Sequence, residues 1–212
     1  IVVSFGGYVS VPVIFMATLK GIKTITHEQT LTNSLTTKIN ANFATKIALS
    51  FNNQNQISQL PKQKVVITGN LLRFQIFKPQ LPKNKNITFK SNLPIIYITA
   101  GNQGSHRINS VLKKIIPELK NFNIIHQTGK FDLQKFKKLN QTHKNYLAAD
   151  YFDTETFSWI INHSQIFISR SGANTSQEIV ALHKKSILIP LPKSQQDEQT
   201  PNALWVKKNL PQ

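Results

Sequence analysis

The chain has 212 residues, 40% of them hydrophobic, and carries 26 Lys and Arg against 9 Asp and Glu, a formal net charge of +17. This composition excludes a disordered polymer and suits one large domain or two small ones, and the lack of cysteine excludes disulfide frameworks, thiolate zinc sites and cysteine nucleophiles. The charge asks for an anionic partner, and nucleic acid, a phosphorylated ligand and an acidic membrane surface all fit.

The sequence opens on a strand-like run, 1–5, with no initiator Met and no charged segment ahead of an apolar one. This reads as a chain without its first elements and without a secretory signal. A helix is expected over 12–20, with Pro12 in its first turn and Gly21 as its stop. A strand at 24–26, a helix at 33–44 and strands at 46–50 and 64–68 follow. The longest apolar run, 8–19, is broken by polar residues and falls short of the ~18–20 residues of a membrane span. Residues 69–92 lack sustained periodicity and hold two prolines, Pro79 and Pro82, with many Lys and Asn; one helical turn is expected near 71–77. The domain boundaries drawn are 1–72, an interdomain connection over 73–92, and 93–212.

The second series has strands at 94–100, 122–126, 146–149, 165–169 and 186–191. Helices are expected at 107–119, 154–162, 175–182 and 199–208. Near-continuous apolar strands alternating with helices predict an α/β fold with parallel sheets covered on both faces. Ligands of such sheets sit beyond the carboxyl ends of the strands. Four of those turns carry chemistry: Gly6-Gly7-Tyr8-Val9-Ser10, His27-Glu28-Gln29, Gly101-Asn102-Gln103-Gly104-Ser105, and 169–175.

The turn at 101–105 can bring backbone N–H groups to an anion, or can be a tight turn that needs glycine. It is neither a P-loop nor a dinucleotide fingerprint. Arg170 and Gly172 precede a helix holding Thr175 and Glu178. Arg170 suits bidentate phosphate contact, and Glu178 can accept both hydroxyls of a ribose. The competing reading makes Thr-x-x-Glu a capping box. Glu28 is the only acid before Glu118. With His27 it can serve acid–base work, or it can satisfy a helix start. Arg73 can reach a ligand or form an ion pair. The amides of Gln199 and Asn202 suit a neutral polyol, while Pro201 equally marks a helix start.

In this order the segments Gly6-Gly7-Tyr8-Val9-Ser10, His27-Glu28-Gln29, Gly69-Asn70 with Arg73, Gly104, His126-Gln127-Thr128-Gly129-Lys130, Arg170-Ser171-Gly172-Ala173 with Thr175 and Glu178, Pro190-Leu191-Pro192, and Gln199 with Asn202-Ala203 resemble the MurG family of peptidoglycan glycosyltransferases. No one segment is decisive, but the ordered set is specific and spans nearly the whole chain. The resemblance implies a GT-B fold: two Rossmann-like halves with an interdomain cleft, the first half incomplete. It implies inverting transfer of N-acetylglucosamine from UDP-N-acetylglucosamine to the muramoyl C4 hydroxyl of lipid I, giving lipid II.

By the family pattern the donor is bound by Arg73, Asn102, Gln103, Phe152, Arg170, Ala173, Asn174, Thr175, Glu178, Gln199 and Asn202. Gly7, Tyr8, Ser10 and Gln29 face the acceptor, and His27 and Glu28 support catalysis. The family's first Gly-rich loop, with its His, would lie upstream of Ile1, and closing helices would follow the end. Departures from the pattern are Asn102 for Ser, Thr30 for Asn, Val11 for Gly and Leu71 for Pro. No cofactor is implied. A metal-independent reaction is expected, from phosphate stabilisation at helix termini and the lack of Asp-x-Asp. The basic surface suits a peripheral protein on the anionic cytoplasmic face of the bacterial inner membrane, and no nucleic-acid motif with interleaved aromatics appears. The rivals are another UDP-sugar enzyme of the same fold (a glycolipid glycosyltransferase or a UDP-N-acetylglucosamine epimerase), a basic nucleic-acid binder, and a nucleotide-binding chain without activity.

Overall fold

The computed structural model describes residues 1–80, Ile87, Phe89, 92–191 and 197–210. Most of the later half of the 73–92 connection lies outside the described residues, as does Pro192 of the Pro190-Leu191-Pro192 segment. The chain divides into two compact units.

The first unit comprises Ile1–Leu71 with Lys193–Asn202. Its sheet has four parallel strands in the order β1 (Val2–Ser4), β2 (Thr24–Glu28), β3 (Lys46–Leu49), β4 (Val65–Ile67). Between them run helices α1 (Ser10–Leu19), α2 (Leu35–Phe43) and the short α3 (Gln54–Ile57). Ser34 caps α2 by accepting from the Thr37 N–H, and Asn53 caps α3 by accepting from the Asn55 N–H. The core is small: Ala41, Ile47, Leu49 and Leu60. β2 runs two residues further than the apolar pattern indicated, so His27 and Glu28 end a strand instead of opening a turn.

Only Ile14 and Ala17 of α1 are buried, and Val13, Phe15, Met16 and Leu19 are exposed.

The second unit comprises Leu72–Pro192 with Ala203–Gln212. Its five parallel strands are β5 (Ile95–Thr99), β6 (Asn123–Gln127), β7 (Tyr146–Ala149), β8 (Ile166–Ser169) and β9 (Ser186–Leu188), in spatial order β7-β6-β5-β8-β9. The helices are α4 (His106–Ile115), α5 (Leu133–Thr142), α6 (Thr154–His163), α7 (Ala173–Ala181) and, from Ala203 onward, α8 (Gln199–Asn209), whose first residues, Gln199–Asn202, count with the first unit. Alternation along β5 builds a core on each face. Tyr97 joins Phe157, Ile160, Ile161, Phe167 and Ile179 on one side, while Ile96 and Ile98 join Ile108, Leu112, Ile124 and Phe136 on the other. Each fully buried large side chain contributes about 1.5–3 kcal/mol.

The assigned connection needs correction at its start. Phe74–Phe77 forms a 3-10 turn, and Ile76, fully buried, packs into the Tyr97 core. Residues from Leu72 therefore belong to the second unit. Helix α5 was absent from the sequence reading.

Candidate functional site

In the second sheet the strand order reverses between β5 and β8, because the chain leaves β5 toward β6 on one side and returns to β8 on the other. A crevice opens beyond the carboxyl ends of such a pair. Two turns meet this edge: Gly101–Ser105 after β5 and Arg170–Gly172 before α7.

The first turn is built by glycine. Gly104 has φ +74°, and a Cβ there would stand 2.1 Å from the Thr128 carbonyl oxygen; one on Gly129 (φ +77°) would stand 2.3 Å from that of Gln103. The 101–105 and 128–129 turns are thus pressed backbone to backbone, which no side chain permits. The Ser105 hydroxyl caps α4 at the Ile108 N–H.

A cavity of about 40 Å³ at this edge is lined by Arg73, Tyr97, Thr99, Asn102, Gln127, Phe152, Phe157, Thr175 and Glu178, among others. The Glu178 side chain is 3% exposed, and its Oε1 lies 3.4 Å from Nε of Arg73. The Arg73 guanidinium sits 4.6 Å above the centre of the Phe157 ring, a cation–π contact. Burial pushes the Glu178 carboxyl above its ordinary pKa, and the charge of Arg73 opposes that rise. This acid is buried, with one partly exposed cation beside it.

The sequence missed Gln127 and Tyr97. Gln127 donates from Nε2 to the Gly101 carbonyl (3.1 Å), while its Oε1 accepts from the Tyr97 hydroxyl (3.2 Å) and the Phe152 N–H (3.3 Å). One amide therefore ties three strand ends together below the cavity. Its signal in the sequence was only a polar residue at the end of β6, beside the equally polar His126. Burial pushes the Tyr97 phenol pKa far up, so it remains a hydrogen-bond donor.

Five sequence candidates line this cavity together: Arg73, Asn102, Phe152, Thr175 and Glu178. Ala173 and Asn174 open α7, whose N-cap is Gly172 with no side-chain cap. Thr175 is thus the third residue of the helix, and the capping-box reading of Thr175 and Glu178 fails. Gln103 is exposed and does not line the cavity.

Arg170 departs from expectation. Its Nη1 donates to the carbonyls of Ile189 (3.1 Å) and Pro190 (3.0 Å), and its Nη2 donates to the Ser105 hydroxyl (2.9 Å). It buttresses the turns and does not present a free fork to a phosphate. Gln199 and Asn202 fall among the first unit's residues and take no part in this cavity.

In the first unit Gly6 (φ +93°) and Gly7 (φ +82°) make a left-handed turn into α1. The Gly7 carbonyl accepts from the N–H and hydroxyl of Ser10. Tyr8 is exposed, and Gln29 is half-buried.

His27 is 5% exposed, with Nε2 3.2 Å from the Gly69 carbonyl. A carbonyl only accepts, so Nε2 carries the hydrogen. That leaves Nδ1 as the basic atom, and Nδ1 is buried without a hydrogen-bond partner. Glu28 accepts from the Thr30 N–H (3.2 Å), the Ser34 N–H (2.9 Å) and the Thr37 hydroxyl (2.7 Å). The Thr30 hydroxyl also lies 3.0 Å away but is closer, at 2.7 Å, to the Thr32 carbonyl. Glu28 thus organises the entry to α2, which is the helix-start reading of that motif.

Residues 95–211 match the glycosyltransferase family 28 C-terminal domain, and residues 1–49 match the N-terminal domain of the same family. A Clostridium tetani UDP-N-acetylglucosamine--N-acetylmuramyl-(pentapeptide) pyrophosphoryl-undecaprenol N-acetylglucosamine transferase is 35% identical over 212 residues, covering 99% of this chain and 58% of the relative. The protein of that name from Borreliella burgdorferi is 35% identical over 199 residues, covering 93% and 52%. The chain thus spans little more than half the length of these relatives.

Among solved structures, Acinetobacter baumannii MurG superposes with a TM-score of 0.66 at 24% identity, covering 96% of this chain and 56% of the other. A Neisseria meningitidis UDP-GlcNAc 2-epimerase bound to UDP-GlcNAc gives a TM-score of 0.69 at 16% identity, covering 96% and 61%. These likenesses show a shared fold of two parallel α/β halves. With the C-terminal domain match extending over more than half of its residues, the chain belongs to glycosyltransferase family 28.

Proposed function

We propose that this chain carries the donor site, and part of the acceptor side, of an enzyme that transfers N-acetylglucosamine from its UDP derivative to the muramoyl C4 hydroxyl of an undecaprenyl-diphosphate-linked acceptor. The observation that carries this reading is Glu178. It is a buried carboxylate with a raised pKa at the sheet's switch point, in a chain of this family. Two acceptor oxygens against low-dielectric walls suit a vicinal diol such as ribose, whose hydroxyls replace the water the carboxylate lost.

The α7 N-terminus, capped only by Gly172, directs a positive helix dipole toward the same crevice and suits a diphosphate. Arg73 lies beside Glu178, close enough to add charge to that anion. In the transfer, the acceptor hydroxyl attacks the anomeric carbon and gives up its proton to a general base, while the UDP oxygen departs with the bonding pair. Helix N–H groups and Arg73 stabilise the departing charge, which is transition-state stabilisation by fixed dipoles.

His27 and Glu28 take positioning roles. The basic Nδ1 of His27 is buried, and Glu28 is occupied by its own helix entry. The exposed Val13, Phe15, Met16 and Leu19 of α1, with Lys20 and Lys23 nearby in sequence, suit contact with an anionic bilayer surface. No described helix is long and apolar enough to cross a membrane.

Calorimetric titration with UDP-N-acetylglucosamine tests the reading. Saturable heat is expected, and Glu178→Ala should weaken the donor about 10- to 100-fold with the fold retained. Equal affinity in the variant would remove Glu178 from the site.

A further inference from the structure

Gln127 is 4% exposed, and the orientation of its amide is fixed, because the Gly101 carbonyl only accepts and the Phe152 N–H only donates. Two of its three partners, Tyr97 and Phe152, are as buried as it is. The third is different. Gly101 is exposed, so water alone could satisfy its carbonyl. The buried amide therefore directs its donor to a surface turn, where the bond fixes a direction and rescues no stranded group.

The Gly101 carbonyl also accepts from the Gly104 N–H at 3.2 Å, which closes a four-residue turn, while the Thr99 hydroxyl accepts from the Gly101 N–H at 3.1 Å. In a trans peptide the C=O and the N–H of the following residue point opposite ways, and no cis peptide occurs among the described residues. With the Gly101 carbonyl turned in to Gln127, the Asn102 N–H is turned out. Glycine at 101, with φ +82°, permits that orientation. Asn102 lines the same cavity as Arg73 and Glu178, and its N–H meets no acceptor among the described residues.

We propose that Gln127 is a positioning residue for the donor's diphosphate: by holding the Gly101 carbonyl it aims the Asn102 N–H outward, where a phosphate oxygen accepts it. The inference rests on the donor reading above and adds to it a residue that acts through the turn. A hydrogen bond to an ionised oxygen is among the stronger ones. A backbone donor fixed before the ligand arrives makes that bond without the cost of ordering a loop.

Calorimetric affinities for uridine and for UDP separate this role from general support of the pocket, because only UDP carries the diphosphate. Gln127→Glu keeps an oxygen for Tyr97 and Phe152 and, when ionised, has no donor for Gly101. It should weaken UDP about fivefold and leave uridine unchanged. The surface pair Asn102→Pro and Asn102→Ala tests the N–H without touching the core. Asn102 is the second residue of the turn and its φ is not positive, a position that proline accepts, and proline lacks the N–H. The proline variant should bind UDP about tenfold more weakly than the alanine variant, with equal uridine affinities. Equal losses of uridine and UDP in Gln127→Glu would make Gln127 a support of the whole pocket and overturn the proposal. Equal UDP affinities in the Asn102 pair would overturn it too, and that pair decides alone where Gln127→Glu does not fold. In both cases saturable UDP binding by the parent leaves the donor reading standing. A parent that binds neither ligand would overturn the donor reading and this inference with it.

Discussion

Glu28 and Glu178 are both buried carboxylates near the carboxyl edge of a parallel sheet, one in each unit. Glu28 meets two backbone N–H groups and a hydroxyl, so its charge is matched inside the protein. Glu178 meets one guanidinium at 3.4 Å across a cation that is 42% exposed, and burial pushes its pKa up. The same side chain is a finished structural joint in the first unit and an under-matched group in the second. Asp132 shows that the second unit can also finish such a joint. It accepts from Lys135 (2.8 Å) and Asn109 (2.9 Å), lies beside His106, and has a carboxyl held down to about 2, chiefly by Lys135. Incomplete matching at Glu178 is therefore not a property of the whole unit.

The largest expected effect is on the matched acid. Glu28→Ala strands two N–H groups and a hydroxyl in the interior and should cost about 4 kcal/mol of unfolding free energy by denaturant titration, with donor affinity unchanged. A loss under 1 kcal/mol would erase the distinction between the two acids.

The Asp132 network gives the next effect. Asn109 donates to Asp132 and the Thr128 carbonyl, so its oxygen accepts from His126 Nε2, and His126 Nδ1 faces the Tyr146 hydroxyl at 2.7 Å. Burial holds this imidazole neutral, with its pKa lowered to about 4 from 6.5, although the charge of Asp132 pulls the other way. The unfolded chain takes up a proton below pH ~6.5, while the native state does so only near 4. Stability is therefore complete above 6.5 and falls on acidification between those values, by about 3 kcal/mol. The depressed Asp132 carboxyl adds a further loss below ~3.8. Thermal melts from pH 7 to 4 should show the decline, and His126→Gln should flatten it.

Glu178→Gln is the counterpart in the other class. Exchanging a desolvated charge for a neutral amide should leave stability within about 1 kcal/mol of the parent, or raise it slightly. UDP-N-acetylglucosamine affinity should fall about tenfold. A variant that lost stability as Glu28→Ala does would show Glu178 to be a structural group.

The fold was legible because strand and helix periods alternate cleanly in the second half, and every strand placed there exists. Helix α5 escaped although Leu133, Phe136 and Leu139 keep a helical three-residue spacing, because they stand singly among polar residues and only Phe136 is buried. The start of the connection was misjudged because Ile76 gains its place from the Tyr97 core, a long-range contact with no local signature. At the site, Glu178 and Thr175 were legible from spacing after Gly172, and the structure decided against a cap by placing Gly172 itself at that position. Arg170 misled because residue type gives a guanidinium's preference and not its partners. Two carbonyls of the β9 exit reach it in the folded chain. Gln127 has three partners from distant segments, which no window of sequence contains.

The smallest effect sharpens the comparison most, because it acts on Glu178 without touching it. Arg73 lowers the Glu178 pKa by its charge and covers Phe157 with its guanidinium. Arg73→Met keeps much of the apolar cover and removes the charge, so the Glu178 carboxyl should titrate at higher pH than in the parent. Donor binding needs the ionised form to accept two hydroxyls, so affinity should drop on acidification, with a midpoint that moves upward in the variant. Near neutral pH the partly exposed cation is screened, and the change there should be only about threefold. Calorimetric affinities from pH 8 to 5 on both proteins measure the shift. Superimposable profiles with equal affinities would mean that Arg73 does not poise Glu178, and the contrast with Glu28 would then rest on burial alone.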